Sequence, residues 1–304
     1  MKSRIVTVSV VAAIVVACLS VGSIFAQQDG NDRAALIKDA AAKPTPRAAD
    51  EHPDLTGYWA DRIELGFGYN IPVTKSADGK TVVYHDADAP ELDARAQPRF
   101  KARAADSSQR PQYKPQFVAK QRELMYTASR IDPGIHCYPF GVPRIGAPSE
   151  IVQTPTAMYF FYSGESDEDP THTFRVIPIG GKHDPDRDPR PDGDSIARWE
   201  GDTLIVDVVN LDPETWLDGD GDFHDENLHV VERFTRKGDT LEYDVIVEDP
   251  TLFTEAWRPA YNGIGVLGRT GRRTLMKRPA GEHAKPDYAC VERDREHKVN
   301  NDRF

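Results

Sequence analysis

Residues 195–209, with the sequence SIARWEGDTLIVDVV, carry the clearest indication of the fold class. Two short runs, 195–199 and 203–209, lie on either side of the Glu-Gly-Asp of residues 200–202, and the second of them is rich in Ile and Val. β-Branched residues favour strands, and a short turn containing Gly between two such runs predicts an antiparallel hairpin.

The same pattern of short strands and turns recurs through the second half of the chain. Further strands are predicted at 151–154, 158–163, 172–178, 228–235, 240–248 and 273–277. Many short strands joined by hairpins favour a mainly β fold, either an antiparallel β-barrel of the lipocalin-like type or a sandwich. Apolar residues at helical spacing after Pro115 predict one helix, which forms a short helical annex.

The chain divides into four regions by composition. Residues 1–26 combine a basic start, an apolar run over 5–16 and a small residue before Gln27, as in a signal peptide. Residues 27–52 are predicted to be a flexible leader, 53–148 an irregular and helical annex, and 149–304 the antiparallel β domain. The predicted location is therefore the periplasm or the exterior. Cys18 ends a permissive lipobox, so an outer-membrane lipoprotein, attached to the membrane by a lipidated Cys18, is the alternative.

Net charge indicates which partners are possible, and the cysteine content indicates whether a disulfide can form. The 304 residues carry a formal charge of −11, which argues against nucleic acid as a partner because phosphate binding needs a basic surface. Removal of residues 1–26 leaves Cys137 and Cys290. In an oxidising compartment this pair predicts a disulfide.

A short acidic run is the one candidate metal site. Asp218, Asp220 and Asp222 alternate with glycines, as at the start of a calcium loop. Phe223 and His229 stand where a calcium hand needs Gly and Glu, so either an irregular calcium site or a solvated acidic turn is expected. We expect no other cofactor.

Two carboxylates on predicted strands are the leading catalytic candidates. Alternation along 228–235 places Glu232 on the face of Val230 and Phe234, and Ile205 and Val209 flank Asp207 in the same manner. A carboxylate on an inward face forms a structural ion pair, here with Arg198 or Arg233, or acts as an acid or base with a raised pKa.

Further side chains could complete such a site. His224 precedes the Glu232 strand and is the candidate acid, with a solvated loop histidine as the alternative, and Arg144 or Arg233 could polarise a carbonyl group. Large aromatic side chains could line a ligand pocket, although most are expected in the core; the candidates are Trp199, Trp216, Trp257 and Tyr138.

Three sequence blocks resemble a known group of proteins. They are CYPFGVPR at 137–144, GDSIARWEGDTLIVD at 193–207 and LHVVER at 228–233. Together they resemble a large group of uncharacterised exported bacterial proteins, and the likeness spans residues 130–292. The resemblance implies a shared fold of the lipocalin-like barrel type and carries over no activity.

The residues fit two classes of function. The first is acid/base catalysis without a cofactor, of the isomerase, lyase, hydratase or cyclase type, on a small hydrophobic or phenolic molecule. The second is binding without catalysis, either by a lipocalin-like carrier of a small hydrophobic molecule or by an envelope interaction protein stabilised by calcium.

Overall fold

A computed structural model describes residues 34–60, 73–75, 82–84, 110–162, 173–219, 221–259 and 273–281. Within them the chain is mainly β. The strands are β1 (Gly57–Ala60), β2 (Val73–Lys75), β3 (Val82–Tyr84), β4 (Glu150–Gln153), β5 (Ala157–Tyr162), β6 (Thr173–Pro178), β7 (Asp194–Glu200), β8 (Thr203–Val209), β9 (His229–Lys237), β10 (Thr240–Glu248) and β11 (Arg273–Lys277). Helix α1 spans residues 34–41 and helix α2 spans Val118–Ile131.

Nine of these strands form one antiparallel sheet that curls into a nearly closed barrel. Their order is β6-β5-β4-β1-β11-β10-β9-β8-β7, so neighbours around the barrel follow the chain, apart from the separate β2–β3 hairpin. The mainly β prediction is confirmed, with a barrel instead of a sandwich. All eight strands predicted between residues 151 and 277 are present, and the helix predicted after Pro115 is α2.

The barrel closes between its two end strands, β6 and β7. Because nine antiparallel strands leave the first and last strands running in the same direction, these two meet in parallel, through the bridge between Ile179 and Ala197. A parallel connection needs a long crossover, which here is the polar loop at 180–193. The topology therefore explains why this loop is long.

The interior is filled by alternate residues of the strands. Burial along β9 alternates without exception from His229 to Arg236, and β10 buries every second residue from Leu241 to Val247. Phe160 of β5 meets Phe234 of β9 edge to face at 5.0 Å between ring centroids, which places both rings inside the barrel.

Residues 34–56 cover the end of the barrel at which the β7–β8 and β9–β10 hairpins turn, which we call the hairpin end. Gly238 N–H donates to Thr45 Oγ1 over 2.8 Å, and the buried Arg236 donates to the carbonyl of Asp54. The flexible leader predicted over 27–52 includes residues 34–52, whose contacts the structure gives, and residues 27–33, which lie outside the described ranges. Contacts to the distant β9–β10 turn order this segment, and local composition carries no sign of them.

The opposite end, which we call the loop end, is covered by residues 133–148, 210–228 and 249–257. Residues 140–148 are all buried, and the amide of Val142 donates to the carbonyl of Pro191 over 3.0 Å. The predicted boundary at residue 149 lies between β1 and the other strands of the barrel sheet. β1 belongs to the predicted annex, yet it pairs with β4 and β11 within the barrel sheet.

Two sequence predictions reach beyond the described residues. Cys290 lies outside the described ranges, so the disulfide between Cys137 and Cys290 stays a prediction. The signal peptide and Cys18 also lie outside them. Within the described ranges no helix is both long enough and apolar enough to cross a membrane.

Candidate functional site

A buried ion pair crosses the barrel interior and is the most specific polar feature found there. Arg175 Nη1 of β6 lies 2.7 Å from Glu232 Oε2 of β9. Neither residue reaches solvent, since Arg175 is 2% exposed and Glu232 is 0% exposed. Both side chains point inward because burial alternates along their strands, with Phe174 and Val176 exposed on the outer face of β6.

Three hydroxyl groups complete this network. Arg175 donates from Nη1 to the Tyr162 hydroxyl over 2.9 Å and from Nη2 to Ser195 Oγ over 2.8 Å. Tyr243 donates its hydroxyl hydrogen to Glu232 Oε1 over 3.2 Å. The network thus joins residues of β5, β6, β7, β9 and β10 at one level of the barrel, and we call it the Arg175 network.

One donor of the Arg175 network is left over. Within the described residues, the buried Nε of Arg175 has no hydrogen-bond partner. Burying an unpaired donor of a charged group is costly, and native proteins rarely leave one without an acceptor. A molecule that accepts this hydrogen bond would remove that cost.

Aromatic rings surround the Arg175 network. Phe160, Phe234 and Tyr243 pack against one another, with centroid distances of 5.0 Å and 5.1 Å for the two contacts that Phe234 makes. The guanidinium carbon of Arg175 lies 6.0 Å from the centre of the Phe160 ring. The Arg175 network is therefore bordered by aromatic rings that are themselves fully buried.

The predicted orientation of Glu232 is confirmed, whereas that of Asp207 was wrong. Asp207 lies on the outer face of β8, where its carboxylate contacts His183 Nε2 at 2.9 Å and His229 Nε2 at 3.3 Å. Partial burial raises the pKa of Asp207, but the hydrogen bonds from these histidines outweigh it and hold the pKa below its ordinary value.

The alternation rule failed for Asp207 because β8 is apolar on both faces. Ile205, on the outer face, is as fully buried as its inward neighbours Leu204 and Val206. The ion-pair partners named from the sequence also lie outside the barrel. Arg198 lies 3.9 Å from Asp207, and Arg233 lies 3.6 Å from Glu200.

Arg144 and His224 lie in the loop end and not beside Glu232. Arg144 is 1% exposed and forms two hydrogen bonds to Asp132, at 2.7 Å and 2.6 Å. His224 is buried, with Nε2 2.8 Å from Thr215 Oγ1 and Nδ1 2.9 Å from the carbonyl oxygen of Asp225. Burial lowers the pKa of His224. The structure therefore does not bring the five predicted catalytic residues to one place.

The aromatic residues predicted to bind a ligand are dispersed as well. Trp216 and Trp257 belong to the core, and Trp199 stacks on His52 at the hairpin end with 4.6 Å between ring centroids. Tyr138 donates to Asp212 in the loop end, and burial together with this bond raises its pKa to about 12.

The acidic run lies partly within the described residues. Asp222 is fully buried and bonded to Arg110 at 2.8 Å and to Gln121 at 2.9 Å, and Asp218 accepts from the Asp222 amide. Asp220 lies outside the described ranges. Among the described residues no group of three or more His, Cys, Asp or Glu is arranged to hold a metal ion. The Arg110 guanidinium already occupies the oxygens of Asp222 that calcium would need, and calcium binding stays a prediction.

Arg175, Tyr162, Tyr243 and Ser195 were not among the candidates chosen from the sequence. In TFRVIP, residues 173–178, apolar residues stand on both faces of the strand, so alternation does not show where Arg175 points. The one usable signal was a lone Arg within an apolar strand, which needs a carboxylate partner if it is buried.

Comparisons with other proteins add nothing to this geometry, since no protein-family model, curated protein or solved structure matches the chain.

Proposed function

We propose that the protein binds a small hydrophobic molecule inside its barrel, with the Arg175 network as the polar anchor. The observation that carries the proposal is the buried Nε of Arg175, which has no hydrogen-bond partner among the described residues. Ligand sites in β-barrels are mostly apolar, with a few convergent polar groups that set the orientation of the ligand. The aromatic rings around Arg175 and the hydroxyls of the network fit that description.

A carrier fits this geometry better than an acid/base catalyst. Both oxygens of Glu232 are engaged, one by Arg175 and the other by Tyr243. The Arg175 guanidinium lies 2.7 Å from Glu232 Oε2, on the side from which a substrate would have to approach that oxygen. Catalysis of the isomerase or lyase type would require the substrate to displace Arg175 or Tyr243 from Glu232, whereas binding leaves both of these hydrogen bonds in place.

Export of the carrier follows from the predicted signal peptide. In that reading the mature protein holds its ligand in the periplasm or outside the cell, and lipidation of Cys18 would keep it at the membrane. The net negative charge of the chain disfavours nucleic acid as a partner.

Retention of a ligand from a native extract tests this proposal. The mature protein would be incubated with an apolar extract of the native host, purified again and examined by native mass spectrometry. Ser195→Leu adds an apolar side chain where Arg175 Nη2 now finds a hydroxyl, and Thr235→Leu is the matched control on the outer face of β9. Circular dichroism and melting temperature would verify that both variants fold.

The proposal predicts that the wild type and Thr235→Leu retain the same small molecule, while Ser195→Leu retains at least about tenfold less. Equal retention by a folded Ser195→Leu, or no retention by the wild type, would overturn it. Conversion of an extract component by the wild type but not by a folded Glu232→Gln would replace the carrier with an acid/base catalyst.

A further inference from the structure

A chain of acidic and basic side chains crosses the outer face of the barrel and includes one residue of the crossover loop. Asp207 of β8 lies between two histidines, with Oδ1 2.9 Å from His183 Nε2 and Oδ2 3.3 Å from His229 Nε2. The other ring nitrogen of His183, in the loop, lies 3.1 Å from Asp194 Oδ2. The other ring nitrogen of His229 lies 3.2 Å from Glu248 Oε2. Carboxylates and imidazoles therefore alternate from β7 to β10.

His183 has to donate a hydrogen bond from both ring nitrogens. A neutral imidazole carries one N–H, so its other nitrogen would point a lone pair at a carboxylate oxygen, whereas an imidazolium donates from both. Both oxygens of Asp194 already face other donors, since Oδ1 lies 2.8 Å from Arg187 Nη1 and Oδ2 accepts from the Asp184 amide. Partial burial raises the pKa of Asp207, but hydrogen bonds from the histidines hold it below its ordinary value. The arrangement therefore fits the protonated form of His183.

The other charged groups near His183 have partners of their own. Arg198 Nη1 lies 3.9 Å from Asp207 Oδ2, but its Nη2 donates to Glu200 over 2.8 Å. The second histidine of the chain is matched by the carboxylate on β10. A proton on His183 is thus balanced by Asp207, and loss of that proton removes one of the two hydrogen bonds that the ring makes.

His183 anchors the first part of the crossover loop. Among residues 180–190 it alone is half-buried, and all the others are exposed. Gly180 and Gly181, just before it, have φ angles of +78° and +103°, and a Cβ atom added at either would have no atom within 4 Å. The chain before His183 is therefore free to swing if the ring lets go.

The last part of the loop is held by groups that do not titrate. The Arg190 amide donates to the carbonyl of Asn210 over 3.3 Å, and the Arg190 carbonyl accepts from the Asp212 amide over 2.9 Å. The Pro191 carbonyl accepts from the Val142 amide over 3.0 Å. Only the first part of the loop depends on a side chain that gains and loses a proton near neutral pH.

We infer that His183 is a proton-dependent clasp that holds residues 180–186 against the outer face of β7 and β8. The protonated ring joins the loop to Asp194 and Asp207, and the neutral ring can make one of these bonds at a time. The clasp is closed at acidic pH and opens as the pH rises through the range in which histidine titrates. Because this loop connects the two strands at which the barrel closes, the surrounding pH sets how firmly that connection is held.

Hydrogen–deuterium exchange of the mature chain measures the clasp. Exchange at about pH 5 and about pH 8, on either side of the histidine range, would be divided by the intrinsic rate of each amide at that pH. The Asp184 amide, which donates to Asp194 over 2.8 Å, reports on the first part of the loop, and the Asp212 amide is the internal control. We expect protection of the Asp184 amide to fall at least about threefold towards pH 8. Protection of the Asp212 amide should stay constant, and nitrogen NMR shifts should show that the His183 ring loses a proton over the same interval.

Three variants assign this step to one histidine. His183→Gln has no charge at either pH, and His183→Lys keeps its charge at both, because lysine ordinarily titrates near about 10.4. Neither should show the step, and protection of the Asp184 amide should be lower in His183→Gln than in His183→Lys. His229→Gln is the matched control, since its ring nitrogens face strand residues and not the loop, and it should keep the step. Circular dichroism would verify that all three variants fold.

Several results would overturn the inference. One is equal protection of the Asp184 amide at both pH values in the wild type, and another is a step of full size in a folded His183→Gln. A neutral His183 ring at about pH 5 would contradict the double hydrogen bond on which the clasp depends. Loss of the step in a folded His229→Gln would show that His183 is not the group that responds.

Discussion

Removing the charge of Arg175 while Glu232 stays in place is expected to cause a large loss of stability. The pair is separated by 2.7 Å, and its side chains are 1% and 0% exposed. At that distance two unit charges attract by about 6 kcal/mol for an effective dielectric constant of about 20. Breaking a buried pair by removing one partner costs about 3–5 kcal/mol, because the other charge stays buried without compensation. We expect a loss in that range for Arg175→Met.

Urea unfolding of matched variants measures this loss. Lys43→Met is the control, because Lys43 and Asp239 lie 2.8 Å apart with side chains 60% and 34% exposed, and such pairs contribute about 0.2–1 kcal/mol. Arg175→Met combined with Glu232→Leu should recover most of the lost stability, since no buried charge then remains unpaired. A loss for Arg175→Met no larger than that for Lys43→Met would refute the reasoning.

Three further predictions concern the ends and the outer face of the barrel. Burial lowers the pKa of His224 in the folded chain, so the unfolded chain binds more protons, and the free energy of unfolding should fall as the pH drops below about 6.5. His224→Gln should remove part of that slope in urea titrations, and an unchanged slope would contradict the assignment. Gly238 and Gly201 have nearly equal positive φ angles, +56° and +58°. A Cβ atom added at Gly238 would lie 2.4 Å from the carbonyl oxygen of Ala40, whereas one added at Gly201 would have no atom within 4 Å. Gly238→Ala should therefore cost about 1 kcal/mol more than Gly201→Ala in thermal unfolding, and equal costs would show that residues 34–56 do not cover the hairpin end. Asp207→Asn should lower stability by no more than about 1 kcal/mol and leave ligand retention unchanged, because the side chain lies outside the barrel; loss of retention would refute that placement.

Local sequence pattern was sufficient to predict most of the sheet. The strands from β4 to β11 are short, apolar and separated by turns, so their positions follow from neighbouring residues alone. The inward position of Glu232 followed as well, because β9 alternates without interruption. A pattern that repeats every two residues shows both where a strand lies and which side chains face inward, without reference to distant residues.

The features that the sequence did not predict depend on contacts between residues far apart in the chain. β1 has four residues, and its place between β4 and β11 is set by pairing with residues about 90 and 220 positions further along the chain. Arg175 finds Glu232, its carboxylate partner, on a strand 57 positions further along. Charge pairing across a barrel produces no periodic pattern in the sequence. The sequence therefore identified only one member of the Arg175 network, Glu232.

A crystal structure of the protein carrying the species it retains from the host extract tests the central claim most directly. The proposed binding mode predicts electron density for one small molecule inside the barrel, with an oxygen within hydrogen-bond distance of Arg175 Nε and the aromatic rings of Phe160 and Phe234 against its apolar part. Density for the retained molecule outside the barrel, with Nε bonded to a protein group, would contradict it.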